Sequence, residues 1–369
     1  MDNEKNEIRV KEITQQHRQN VYGNMGRNNR VIEYYQKMLV EGIIHKELSP
    51  AEASTMRKRL NRLRDCNKFW VTETYETSHI KLLLKTFLCK DKFCSNCNQV
   101  RKLVLKNRFL PLMEQYKDSL YHMVLTVPDC YGENLRGIIK HMNRCFKTLV
   151  TYLNGNKKIR GIDLLPYDFQ GCIRSLEITY KGDVYHPHFH VAAVLGNGSS
   201  IEEKSILNQF SNVGNRLFSD FETIIQRMWW LLINEQRLTA SNILGDDDSL
   251  GRYSCVADKF QSEDYMRLFG YVTKVYAEDR HPMSYENFKT LYRALERIRQ
   301  IQGYGMFYNF TPEGLKEYTE KEYDLLENYL LCGENPVSAY EPLSRLANES
   351  GFTLLRAKNR GLNSKFKTV

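Results

Sequence analysis

Residues 172–195 read CIRSLEITYKGDVYHPHFHVAAVL, and how this stretch turns back on itself decides the fold. Two runs rich in Ile, Thr, Val and aromatic side chains flank Gly182-Asp183, a dipeptide suited to a two-residue hairpin turn. A turn there pairs Lys181 with Val184 and, counting outward, sets Glu177 opposite His188. Successive side chains of a strand point to opposite faces, so His186, His188 and His190 share one face while Pro187, Phe189 and Val191 share the other. The apolar face suits packing against helices. The imidazole face does not suit an ordinary core, because neighbouring neutral imidazoles need hydrogen-bond partners or an ion. Glu177, His188 and His190 together make an N, N, O donor set for Mg, Mn, Zn or a related divalent ion, with positions left for substrate oxygens. The competing reading is a surface histidine cluster without a role; His186, beside a proline and near the turn, fits the donor set least. An open-sided ion facing a phosphate would polarise its oxygen, but this hairpin supplies no nucleophile.

Outward from the hairpin, short β-branched runs alternate with longer amphipathic ones. His122–Val127, Cys172–Tyr180, Pro187–Leu195 and Tyr253–Ala257 read as strands. Asn134–Leu153, Phe221–Glu235 and Tyr265–Ala277 read as helices, with Ser219 and Glu222 forming a capping box at the second of them. The order β, α, β, β, α, β, α implies an α+β domain, a mostly antiparallel sheet with packed helices. Trp229 and Trp230 fall at core spacing on the middle helix. Nearer the N-terminus, Ser49-Pro50-Ala51-Glu52 starts a helix that runs to about Arg64, with the basic run MRKRLNRLR on it. That run is either a solvated surface or a nonspecific phosphate contact.

Cys89, Cys94 and Cys97 give a C-x4-C-x2-C group, and Cys66 precedes it. The C-x2-C knuckle brings two thiolates to one ion, and a tetrahedral zinc takes four, so Cys66 is the natural fourth. With sulfur in every position the ion is structural. Such a clamp joins the ends of the intervening segment, within which Val71–Glu73 and Lys81–Thr86 can pair as strands.

The chain has 369 residues, a net charge of +9 and nine cysteines. That length permits one to three domains. The charge agrees with a polyanionic partner without identifying one. An odd cysteine count, polar N-terminal residues and no apolar run near the roughly 18 residues of a membrane span point to reduced thiols and a cytoplasmic location.

Downstream, Tyr271 and Lys274 lie three apart on a helical pattern and so share a face; a cation beside a phenol favours the reactive phenolate. Taken in order, Leu125-Thr-Val-Pro128, Arg174-x-x-Glu177-x-Thr179, HPHFH at 186–190 and Tyr271-x-x-Lys274 resemble the rolling-circle replication initiators of small bacterial plasmids, within the HUH endonucleases. The cysteine group and the FKTLYRALERIR run from Phe288 add to the resemblance, which covers about Cys66 to Phe310. It implies that His188, His190 and Glu177 hold a catalytic Mg or Mn ion, that Tyr271 attacks the scissile phosphate of single-stranded or extruded origin DNA, and that Lys274 orients or neutralises that phosphate. It further implies a 5′-phosphotyrosyl enzyme with a free 3′ hydroxyl, and host helicase and polymerase as partners. One position departs from the pattern: family members often carry a glutamate one turn before the nucleophile, where this chain has Arg267. Glu263, Asp264 and Tyr276 are the nearby substitutes.

The expected organisation is a basic helical region over 1–65, a zinc-binding module over 66–110, an HUH nuclease domain over 111–310 and a C-terminal extension over 311–369. The alternatives are a transposase or relaxase of the same chemistry, a zinc-containing DNA-binding regulator without nuclease activity, and a histidine-metal hydrolase of small molecules.

Overall fold

A computed structural model describes residues 11–12, 15–67, 69–75, 80–86, 88–196, 201–207, 217–245, 255–261, 264, 268, 283–310, 340–344 and 353–357. The chain forms two compact units, one of Met1–Val100 with Glu313–Val369, the other of Arg101–Pro312.

In the first unit, helix α1 spans Gln15–Ile44 and α2 spans Pro50–Asp65. The expected capping box starts α2: Ser49 Oγ accepts from the Glu52 amide, and Glu52 Oε2 accepts from the Ser49 amide at 2.9 Å. Ala53, Met56, Leu60 and Leu63 are its buried stripe, while Arg57, Lys58 and Arg64 are exposed. Strands β1 (Lys11–Glu12), β2 (Phe69–Tyr75) and β3 (Ile80–Thr86) join β12 (Tyr340–Ser344) and β13 (Thr353–Ala357) in the order β1-β3-β2-β13-β12. The hairpin expected between Cys66 and Cys89 is therefore present as β2 and β3, and β13 extends it by pairing parallel to β2.

Helix α3 (Ser95–Gln115) leads into the second unit, whose sheet is antiparallel throughout with the order β10-β4-β7-β6-β11. Its strands are β4 (Leu120–Thr126), β6 (Phe169–Lys181), β7 (Val184–Leu195), β10 (Cys255–Lys259) and β11 (Ile301–Gly305), with β5 (Cys130–Tyr131) added beside β7. A separate pair is formed by β8 (Ile206–Leu207) and β9 (Leu217–Phe218). Helices α4 (Gly132–Leu153), α5 (Asp220–Ile233), α6 (Ala240–Leu244) and α7 (Tyr285–Leu295) complete the described part of an α+β fold.

The two faces of this sheet differ as the hairpin's alternation demands. Phe189 is fully buried on one, its ring 5.5 Å from Phe146 of α4 and 6.0 Å from Trp229 of α5. Trp229 also donates through Nε1 to the Thr126 carbonyl at 2.7 Å, tying α5 to the end of β4. At the N-terminus of α5 the Ser219–Glu222 capping box forms as expected, and buried Glu222 also accepts from the Ala257 amide at 2.7 Å, which fixes β10. On the opposite face, Phe109 and Met113 of α3 pack with Leu120, Ile173, Ala192 and Phe307. That apolar cluster covers one end of the face and leaves His188, His190 and Glu177 at the other.

Candidate metal centres

Closure at Gly182-Asp183 produces the register read from the sequence: Lys181 pairs with Val184 and Glu177 with His188. Gly182 takes φ +61, the left-handed conformation that a tight hairpin turn requires and that glycine adopts without strain. One carboxylate oxygen, Glu177 Oε2, then lies 3.1 Å from His188 Nε2 and 2.8 Å from His190 Nε2. All three side chains are buried. Burial raises the Glu177 carboxyl, but the hydrogen bonds and charge of the two imidazoles together outweigh it and hold the group at about 2. The carboxylate therefore stays ionised and available as a hard oxygen ligand at neutral pH.

The donor set fits a divalent ion. Octahedral bonds of about 2.1 Å set neighbouring ligand atoms about 3.0 Å apart, close to the 2.8 and 3.1 Å found. Ser175, the register partner of His190, carries a buried hydroxyl without a hydrogen-bond partner, a group that the waters of such an ion would satisfy. His186 diverges from this set: its Nδ1 lies 2.7 Å from Asp129 Oδ1 in an exposed pair.

Behind the site, on the helical face, buried Arg174 stacks its guanidinium 4.4 Å from the centre of the Phe189 ring. It donates to Asn143 Oδ1 and to the Arg299 carbonyl. Burial lowers its affinity for a proton, and Tyr304 and Cys172 partly offset that effect.

The cysteine group closes in the first unit. The donor atoms of Cys66, Cys89, Cys94 and Cys97 lie within 4.8 Å of one another, with Cys94 to Cys66 at 3.4 Å and Cys89 to Cys97 at 3.5 Å. Sulfurs on a tetrahedral zinc at about 2.3 Å stand about 3.8 Å apart, so the cluster has nearly the size of a zinc site. The Lys90 amide donates to Cys97 Sγ at 3.1 Å and the Cys89 amide to Cys66 Sγ at 3.4 Å, so backbone donors point at both sulfurs. Asn28 of α1 joins the cluster, donating to Cys94 Sγ and accepting from the Ser95 amide at 2.8 Å. Buried Asp91 holds the loop between the cysteines, accepting from Tyr35, the Phe93 amide and Arg59.

Comparison with known proteins adds an independent line. Residues 80–209 match a family described as "Replication protein". That segment is similar to replication proteins. It is 30% identical over 160 residues to "Protein rep" of Staphylococcus aureus, a match covering 41% of this chain and 64% of that protein. Proteins of the same name from Lentilactobacillus hilgardii and Bacillus amyloliquefaciens are 27% and 33% identical over 140 and 141 residues, each match covering 36% of this chain and 41% and 38% of those proteins. The matches thus span between about two fifths and just under two thirds of these relatives. No solved structure matches the chain.

The matched replication-protein segment contains Cys89, Cys94, Cys97, Glu177, His188 and His190, the members of both clusters apart from Cys66. Tyr271 and Lys274 lie beyond it and outside the described residues, as do Glu263, Arg267 and Tyr276. Asp264 is described, and accepts from the Gln261 amide at 3.0 Å.

Sequence reasoning missed His122, whose Nε2 lies 3.0 Å from His190 Nδ1, although it falls within a strand read correctly. Its signal is its parity: in β4 it shares a face with Val124 and Thr126, the register partners of His190 and His188. Asn28 and Asp91 carry no local signal, since their partners lie far along the chain.

Proposed function

We propose that the protein initiates rolling-circle replication of a plasmid as a metal-dependent HUH endonuclease and strand transferase acting on single-stranded or extruded origin DNA. The observation that carries this reading is the convergence of Glu177, His188 and His190 inside the segment that matches replication proteins. A Mg or Mn ion held by these residues would supply positive charge to the scissile phosphate. Glu177 is the anionic member of that set, and the His188 and His190 rings supply nitrogen donors from one face of β7.

In the proposed chemistry the Tyr271 oxygen bonds to phosphorus, the phosphorus–O3′ bond breaks, and the phenolic proton is lost as the departing 3′ oxygen gains one. The products are a 5′-phosphotyrosyl enzyme and a 3′ hydroxyl that a host polymerase can extend behind a host helicase. Because a phosphoester is retained, a later transfer can reseal DNA without ATP. Lys274, three residues after Tyr271 in the sequence, would stabilise the phenolate and orient the phosphate. Positioning and charge stabilisation account for most of such an acceleration. The four-cysteine site is proposed to hold a structural zinc.

Single-stranded oligonucleotides incubated with the protein and Mn test the reading. It requires metal-dependent cleavage, a product with an extendable 3′ hydroxyl, and loss of cleavage in Tyr271→Phe. A regulator would give only reversible complexes, and a small-molecule hydrolase would keep its activity in that variant.

A further inference from the structure

We propose that His122 is a positioning residue for the metal centre: its imidazole holds the His190 ring with Nε2 turned toward the ion, accepting or donating the hydrogen bond as required. This inference rests on the reading of Glu177, His188 and His190 as ligands.

The two ligand imidazoles are steered differently. His188 Nδ1 lies 3.2 Å from the carbonyl oxygen of His186. A carbonyl only accepts, so this contact keeps the proton on Nδ1 and leaves the Nε2 lone pair for a ligand bond. His190 Nδ1 instead faces His122 Nε2 at 3.0 Å, with the ring planes 16° apart. The register accounts for the meeting: Val124 of β4 pairs with His190 and His122 with Ala192, so His122 is the next residue along the same face. On its other side His122 has Asp258 of β10 as register partner, and its ring meets the edge of Phe260 at 5.9 Å.

An imidazole partner differs in kind from a carbonyl. When His190 Nε2 faces the Glu177 carboxylate, it bears the proton and Nδ1 accepts from His122. When Nε2 gives its lone pair to an ion, the proton resides on Nδ1, which donates to His122. A partner able to play both parts keeps the ring in one orientation through both situations. Outer partners of ligand histidines are worth about 10–100-fold in metal affinity.

Mn binding to the full chain, followed by electron paramagnetic resonance, tests the role in wild type, Glu177→Ala, His122→Phe and His122→Gln. His122→Phe keeps the volume but removes the polar nitrogen, and is expected to weaken Mn binding about 10–100-fold. The amide of His122→Gln can accept or donate, and is expected to restore binding to within a few-fold of wild type. If Glu177→Ala leaves Mn binding unchanged, the ligand reading itself fails. If Glu177→Ala abolishes binding while His122→Phe binds as wild type, or the folded Phe and Gln variants are equally weak, the positioning role is overturned. Should the phenylalanine variant not fold, nitrogen NMR of the Mg-loaded wild type decides: a protonated His190 Nδ1 is expected, and an unprotonated one overturns the proposal.

Discussion

Glu177 and His188 face each other across the β6–β7 hairpin, register partners whose Oε2 and Nε2 atoms lie 3.1 Å apart. The pairing is set by four strand residues on each side of the two-residue Gly182-Asp183 turn, so any change of register separates the ligands. Inserting one residue at Gly182-Asp183 would move one strand's side chains to the opposite face. The expected outcome is loss of Mn binding in a chain that still folds, read by a metal titration beside far-ultraviolet circular dichroism.

Removing the charged oxygen alone is a milder perturbation. Glu177→Gln keeps the size and leaves two imidazoles, and should weaken Mn binding by at least about tenfold. An unchanged affinity would remove Glu177 from the ligand set.

The cysteine cluster predicts a zinc content that depends equally on all four sulfurs. Cys66→Ser should lower bound zinc as much as Cys97→Ser, although Cys66 lies outside the C-x4-C-x2-C group. In the metal-free cluster, burial and the neighbouring sulfurs push the Cys89 thiol up, so a chelator should release zinc more readily as pH falls. Metal analysis of the purified variants checks the first statement, and a chelation series from pH 8 to 6 checks the second.

Two cysteines outside the cluster predict the alkaline limit of stability. Burial pushes the thiols of Cys130 and Cys145 up to about 11. Because the folded values exceed the unfolded value of about 8.5, the fold retains protons that the unfolded chain releases. That contribution is fully present below about pH 8.5 and is lost as pH rises through 11. The urea midpoint should therefore fall between those limits, and less so in Cys145→Ala than in wild type.

The face of the sheet beneath α4 and α5 is packed with buried aromatic side chains. Phe189→Ala removes a ring between Phe146, Trp229 and the Arg174 guanidinium, and should cost about 3–5 kcal/mol. Denaturant unfolding measures it. The loss should exceed that of an exposed change such as Tyr131→Ala.

What the sequence revealed followed from local rules. The turn chemistry of Gly182-Asp183 and the two-residue period of strands were enough to bring Glu177 and His188 together, and Ser49 and Ser219 announced their helices through capping boxes. The bounds of β6 and β7 ran longer than the apolar runs because pairing continues wherever a partner strand is present. Strand β11 was hidden because IQGYG carries two glycines and reads as a loop. Those glycines are required by packing: a Cβ on Gly303 would meet the Phe307 carbonyl at 2.2 Å, and Gly305 has φ +59. The C-terminal strands β12 and β13 were equally hidden, since β13 finds its partner β2 at the far end of the chain. His122 was overlooked for the same reason, as nothing near it in the sequence points to His190.

The most direct test of the account is peptide mapping of the protein after reaction with a randomised single-stranded DNA pool and Mn. A nucleotide adduct on Tyr271, absent when His190 is replaced by Ala, is the predicted result. Cleaved DNA with no adduct on any tyrosine, or an adduct that forms equally well without metal and without His190, would contradict it.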